Sequence, residues 1–273
     1  MTKAESTAEG LIEDFDLTLP IKPHEVCELL SDESFPIEYA EKPLETEGVE
    51  GMAQPLPKGG AFIIVNDKVN NAGRRVFTAA HELGHVLLHI QEGKGKGFEC
   101  SNKSMKSKDP FEKEANQFAS ALLMPKTIIG NKIMLESLSW RLIQTIMTDC
   151  ETSLIAAAIR VISISDEQCA LVVHKNGEMW TPTKSKAFQS AGYFIRKAPF
   201  SKDLDTTEDL PSNKLSDELW ECEPSDWGIS GKDLPDGILY YSIHNKEYNR
   251  TMSLIVVPEI EGEGDQISCE PTF

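Results

Sequence analysis

Residues 75–90 place apolar side chains at Val76, Ala80, Leu83, Leu87 and Ile90, the spacing of a helix with one buried stripe. Beside that stripe runs His81-Glu82-Leu83-Gly84-His85. Residues four apart share a helix face, so both imidazoles can reach one metal ion while the carboxylate between them faces a water held there. The helix must therefore lie against a core on one side and border a polar site on the other. Gly84 interrupts it at a cost of about 1 kcal/mol relative to Ala, so another element is expected to approach closely at that point. His89 continues the four-residue spacing and reads as an outer partner or a packed ring rather than a ligand.

Two histidines leave a catalytic zinc site one protein ligand short. A second helix is expected from Asp109, with Pro110 in its first turn, and its apolar face is Phe111, Ala115, Phe118, Ala119 and Leu122. Its start offers Glu112 and Glu114. Asn116 follows Glu112 by one turn and could orient that carboxylate, which makes Glu112 the preferred third ligand and Glu114 the alternative. Without the upstream motif both would read as an acidic first turn favoured by the helix dipole.

Between the two helices, residues 91–110 are rich in Gly, Lys and Ser and read as a loop without regular structure. Its lysines, Lys94, Lys96, Lys103, Lys106 and Lys108, form an island of positive charge suited to recruiting an acidic substrate segment. Cys100 lies in the same stretch. Upstream, residues 35–40 and 61–65 read as strands of a small sheet, the second as an edge strand able to hold an extended peptide by backbone pairing. Downstream, helices are expected over 138–147 and 153–164, then strands over 170–174, 239–243 and 252–257. The division that follows is 1–126, 127–165 and a β-rich 166–273.

The net charge of −17 works against sequence-independent binding to nucleic acid, which draws on Lys and Arg. Segment 127–165 is nearly neutral, and its second helix is mostly apolar, so direct nucleic-acid contact is not expected. Acids concentrate in 203–226 and in the tail 259–270, which read as solvated loops. The six cysteines form no CxxC pair and suggest reduced thiols. An acidic N-terminus without an apolar run, and no stretch of the roughly 18 apolar residues needed to span a membrane, suggest a cytoplasmic protein.

The run Arg74-Arg75-Val76-Phe77-Thr78-Ala79-Ala80-His81-Glu82-Leu83-Gly84-His85 is followed by Glu112-Lys113-Glu114-Ala115-Asn116-Gln117-Phe118-Ala119 and Leu122-Leu123-Met124-Pro125. Together these resemble the ImmA/IrrE metallopeptidases, over roughly residues 20–125. The resemblance implies an α+β chain whose first domain is zincin-like, a small sheet with the HExxH helix. It places the third metal ligand on Glu112, and it implies as substrate a transcriptional repressor of the helix-turn-helix type. It further suggests a helix-turn-helix-like segment at 127–165 and a sensor-like domain resembling GAF folds from 166.

Taken together, the residues point to a zinc-dependent endopeptidase that hydrolyses a peptide bond with a metal-activated water. His81, His85 and Glu112 would hold one Zn2+, with Mn2+ also compatible, and Glu82 would be the general base. A second donor to the substrate carbonyl is left open among Tyr39, Arg74, His174 and His244. The alternative is a catalytically inactive, metal-stabilised regulatory or DNA-binding module, in which Cys100 would supply a fourth ligand.

Overall fold

Helix α1 (Lys3–Asp14) starts at Thr2, whose hydroxyl accepts the Glu5 backbone N–H while the Glu5 carboxylate accepts the Thr2 N–H. This reciprocal cap satisfies two donors that the first turn would otherwise leave open. The computed structural model describes residues 1–95, 97–101, 109–199, 204, 206–208, 218–246 and 248–259. These form two compact units, one of Met1–Ser137 with Leu142–Val161 and the other of Leu138–Arg141 with the described residues from Ile162 onward. The architecture is mixed α and β, with a small sheet in the first unit.

In the first unit, α2 (Pro23–Leu30) leads into a sheet of four strands: β1 (Ile37–Lys42), β2 (Val49–Pro55), β3 (Ala61–Asn66) and β4 (Phe98–Ser101). Their order is β1-β3-β2-β4; β1 runs parallel to β3, and the other pairs are antiparallel. Residues 61–65 are therefore not an edge strand, because β1 and β2 occupy both sides of β3. Its composition explains this, since Ala-Phe-Ile-Ile-Val carries no charge to protect a free edge. Strand β4 lies inside the stretch expected to be a loop. Its N–H and C=O groups complete the outer side of β2, and four residues are too few for alternation to stand out among glycines and lysines.

Helix α3 (Ala72–His85) follows β3, capped by the Asn71 side chain on the Arg74 N–H, and continues as a wider π-helical turn over Val86–Ile90. Ala79, Ala80, Leu83 and Val86 bury against Ile63 and Val65 of the sheet and against Phe118, Ala119 and Leu122 of α4 (Pro110–Leu123). Complete burial of a side chain such as Leu83 or Phe118 stabilises the fold by about 1.5–3 kcal/mol. Three further helices follow, α5 (Lys126–Leu135), α6 (Trp140–Asp149) and α7 (Leu154–Ile164). Glu9 of α1 caps α5: its carboxylate accepts the Lys126 N–H at 2.6 Å, and the Thr127 N–H and hydroxyl at 3.1 and 2.7 Å. The Arg160 guanidinium of α7 lies 3.4 Å from the same carboxylate.

The second unit is built on an antiparallel sheet of β5 (Cys169–Lys175), β6 (Glu178–Met179), β10 (Trp220–Cys222), β12 (Ile238–Asn245) and β13 (Arg250–Val256), in the order β10-β12-β13-β5-β6. Strand β7 (Thr183–Lys184) pairs with β5, and β9 (Thr207–Glu208) runs parallel to β12. A short helix, α8 (Lys186–Ser190), and a pair formed by β8 (Phe194–Ile195) and β11 (Ile229–Ser230) complete it. Its core gathers Phe188, Trp227, Ile238, Tyr240 and Ile255. Residues 203, 205 and 209–217 of the acid-rich segment 203–226, and all but the first residue of the acidic tail, lie outside the described residues. No single helix among the described residues is long and apolar enough to cross a membrane.

Candidate metal centre

On α3, His81 and His85 point the same way, their Nε2 atoms 3.0 Å apart, and both rings are fully buried. Helix α4 brings Glu112 to them: one carboxylate oxygen lies 3.5 Å from His81 Nε2 and the other 3.3 Å from His85 Nε2. The close approach of the two helices depends on Gly84. A Cβ there would sit 3.0 Å from Phe118 Cδ1 and 3.2 Å from Ala115 Cα, tighter than side chains pack. The helix-breaking residue inside the motif thus lets the second helix deliver the carboxylate.

Glu82 is fully buried, and neither of its oxygens makes a hydrogen bond of normal geometry. Burial first, and then the neighbouring Glu112 charge, push its carboxyl well above the ordinary range, with the Cys100 amide opposing. A second glycine makes room for it. A Cβ on Gly51 of β2 would lie 2.5 Å from Thr78 Cγ2 and 3.1 Å from Glu82 Oε1. Burial would also raise Glu112, but hydrogen bonding and charge from His81 and His85 outweigh it and bring that carboxyl to about 2. Burial lowers His85 to about 4. A neutral imidazole beside an ionised carboxylate suits a divalent cation such as zinc. Glu112 Oε2 is buried and makes no hydrogen bond of normal geometry, which fits a donor set for such a cation.

The remaining candidates fall in different places. Asn116 Oδ1 lies 3.1 Å from His81 Nδ1, so it meets the imidazole and not the Glu112 carboxylate that the sequence suggested. Glu114 does not join the His81–His85 pair; its Oε2 lies 2.9 Å from His89 Nε2. His89 in turn places its Nδ1 3.0 Å from His85 Nδ1. Cys100 is buried within metal-ligand reach of His81 and Glu82, and burial together with the Glu82 charge raises its thiol. Arg74 Nε donates to Glu50 Oε2 at 2.6 Å, and Tyr39 donates to Glu41 at 3.1 Å. His174 and His244 belong to the second unit, bonded to the Ala198 carbonyl and the Thr251 hydroxyl. Of the five lysines, Lys94 pairs with Glu92, and Lys96, Lys103, Lys106 and Lys108 lie outside the described residues.

Two aromatic residues that no sequence signal marks as part of the cluster pack against its imidazoles. Phe98 stacks on His85 with centroids 4.1 Å apart, and Phe111 lies 4.6 Å from His89. The sequence places Phe111 on the apolar face of α4, whereas no periodic signal surrounds Phe98.

Residues 32–161 match the peptidase M78 family, described as an IrrE N-terminal-like domain. This region belongs to the ImmA/IrrE family. A stretch of 73 residues is 36% identical to the uncharacterized immunity region protein 2 of Bacillus phage phi105. That alignment spans 27% of this chain and 44% of the phage protein, so the chain covers less than half of that relative's length. The fold is similar to that of a Mycobacterium tuberculosis transcriptional regulator, with a TM-score of 0.52 and 12% identity, over 94% of this chain and 88% of the other. At that identity the likeness concerns fold alone. The His81, Glu82, His85 and Glu112 cluster falls within the ImmA/IrrE region.

Proposed function

We propose that this chain is a cytoplasmic zinc metallo-endopeptidase that cuts a helix-turn-helix transcriptional repressor. The observation that carries this reading is the convergence of His81 Nε2, His85 Nε2 and the Glu112 carboxylate beside a buried carboxyl, Glu82, with unpartnered oxygens. His81, His85 and Glu112 would hold Zn2+, or Mn2+ in its place. Such an ion supplies the Lewis acidity that makes water a nucleophile near neutral pH and polarises a scissile carbonyl.

The chain's own groups do the rest. Glu82 accepts the proton of the attacking water and returns it to the leaving amine, the work of a general base and acid within hydrogen-bond reach. Its burial suits this, because a carboxyl held above its usual range is the stronger base toward the attacking water, and the leaving amine, a stronger base still, can take the proton from it. Gly51 of β2 leaves the space that the Glu82 side chain occupies, and Phe98 stacks on the His85 ring.

The immunity-region name of the phage relative supports a regulatory setting, and so a repressor as the substrate. On this reading 1–126 is the zincin-like peptidase domain, 127–165 the helix-turn-helix-like segment and 166–273 a sensor-like, GAF-resembling domain that adjusts activity without contributing a catalytic group. The second reading, an inactive metal-stabilised module, draws on one feature, the Cys100 thiol within ligand reach of His81 and Glu82. Incubating the purified full chain with candidate repressors, with and without a chelator, separates the two: chelator-sensitive cleavage supports the peptidase, and zinc uptake with intact repressors supports the module.

A further inference from the structure

His85, His89 and Glu114 form a chain of contacts leading away from the metal position, and each link has a definite direction. The Glu114 carboxylate, half exposed to solvent, lies 2.9 Å from His89 Nε2. A carboxylate accepts, so His89 Nε2 carries the hydrogen. A neutral His89 then keeps its lone pair on Nδ1, and the 3.0 Å contact between the two Nδ1 atoms requires His85 to donate. That leaves the lone pair of His85 on Nε2, the atom aimed at His81 Nε2 and Glu112. His81 is set the same way by a different partner, since its Nδ1 faces the Asn116 carbonyl oxygen at 3.1 Å.

The surroundings preserve this order. His89 is fully buried, Phe98 covers both rings at 4.1 and 5.3 Å, and Phe111 closes over His89 at 4.6 Å. Water therefore cannot readily substitute for the His89 acceptor. His89 also lies in the π-helical turn that extends α3, the kind of local widening found mostly where a helix serves a site.

We propose that His89 is a positioning residue, held by Glu114, that fixes the tautomer and ring angle of His85 so that the Nε2 lone pair meets the metal. This rests on the metal reading of the cluster. It assigns Glu114 a role different from the alternative third ligand, and it makes the two helices cooperate twice: Glu112 binds the metal, and Glu114, on the same first turns of α4, orients one of its imidazoles through His89.

The test is nuclear magnetic resonance on the zinc-loaded full chain labelled with 15N-histidine, combined with zinc affinity measured by competition against a chromophoric chelator. The expected spectrum shows a proton on His85 Nδ1, a bare His89 Nδ1, and nitrogen–nitrogen coupling between them across the hydrogen bond. His89→Phe, which keeps an aromatic ring in the same volume, should weaken zinc binding by about 10- to 100-fold, the usual effect of losing an outer partner. Glu114→Ala, at a half-exposed position that threatens folding little, should diminish the coupling and weaken zinc binding in the same direction. A proton on His89 Nδ1, an absent coupling, or zinc affinity within twofold of the parent in a folded Glu114→Ala chain overturns the proposal. A parent chain that takes up no zinc overturns the metal reading itself, whereas zinc uptake with the wrong tautomer overturns only the role given to His89.

Discussion

Gly84 and Phe118 meet so closely that a Cβ on the glycine would fall 3.0 Å from the Phe118 ring, and this contact sets the spacing between the two helices that carry the site. Gly84→Ala should therefore do more than restore helix propensity. Overpacking of this kind typically costs about 1–3 kcal/mol, against about 1 kcal/mol gained from replacing a helical glycine. A net loss of stability in urea, together with weaker zinc binding as Glu112 is displaced, is expected. Unchanged zinc affinity would show that the helices can part without disturbing the ligands.

The proposed ligand set predicts a sharp division between neighbouring carboxylates. His81→Ala, His85→Ala and Glu112→Ala should each abolish stoichiometric zinc uptake at micromolar metal. Glu114→Ala should only weaken it, by less than the roughly 100-fold upper range for an outer partner. Equilibrium dialysis with metal analysis distinguishes them, and loss of zinc from Glu114→Ala with retention in Glu112→Ala would reverse the assignment.

How far this was readable without coordinates differs from element to element. The periodicity of 75–90 and the Asp-Pro start of α4 reveal both helices of the site, because their apolar stripes and caps are local signals. Helix α5 has apolar residues on several sides (Ile128, Ile129, Ile133, Met134, Leu135), so no stripe announces it. Strand β4 owes its existence to the free side of β2, a tertiary circumstance that four residues cannot encode by pattern. For the same reason Phe98, Gly51 and the Asn116–His81 contact escape a reading of the chain. Which face of α4 meets the imidazoles depends on packing at Gly84.

Glu9 joins α1, α5 and α7, since its buried carboxylate caps α5 and lies beside Arg160. Glu9→Ala should leave the Lys126 and Thr127 backbone donors without their acceptor, while Arg160 keeps Glu5 and the Met124 carbonyl, at a cost of about 1–3 kcal/mol. The fall in the urea midpoint should exceed that of Glu5→Ala, because Glu5 is more exposed. An equal or smaller effect would contradict the role of Glu9 as the shared acceptor.

Acid should act through Glu5. Burial alone would raise its carboxyl, but the Thr2 N–H and the Arg160 charge hold it below the ordinary range. A depressed folded-state value means the contribution to stability is complete above the ordinary carboxylate range, around pH 4–5. It disappears as pH falls through the lower, folded-state value. The stability difference between the parent and Glu5→Gln should accordingly be present at pH 7 and shrink toward zero in strong acid. A difference that persists unchanged there would rule out the linkage.

The central claim, that Glu82 is the proton-handling group of a zinc peptidase, is tested most directly by comparing zinc-loaded parent and Glu82→Gln on the same helix-turn-helix repressor by mass spectrometry. The substitution keeps the volume and leaves the three proposed ligands in place. It is expected to leave zinc content unchanged while slowing cleavage by about 100- to 10,000-fold, the usual contribution of a positioned acid or base. Cleavage by Glu82→Gln at the parent's rate, with zinc bound, would contradict the account.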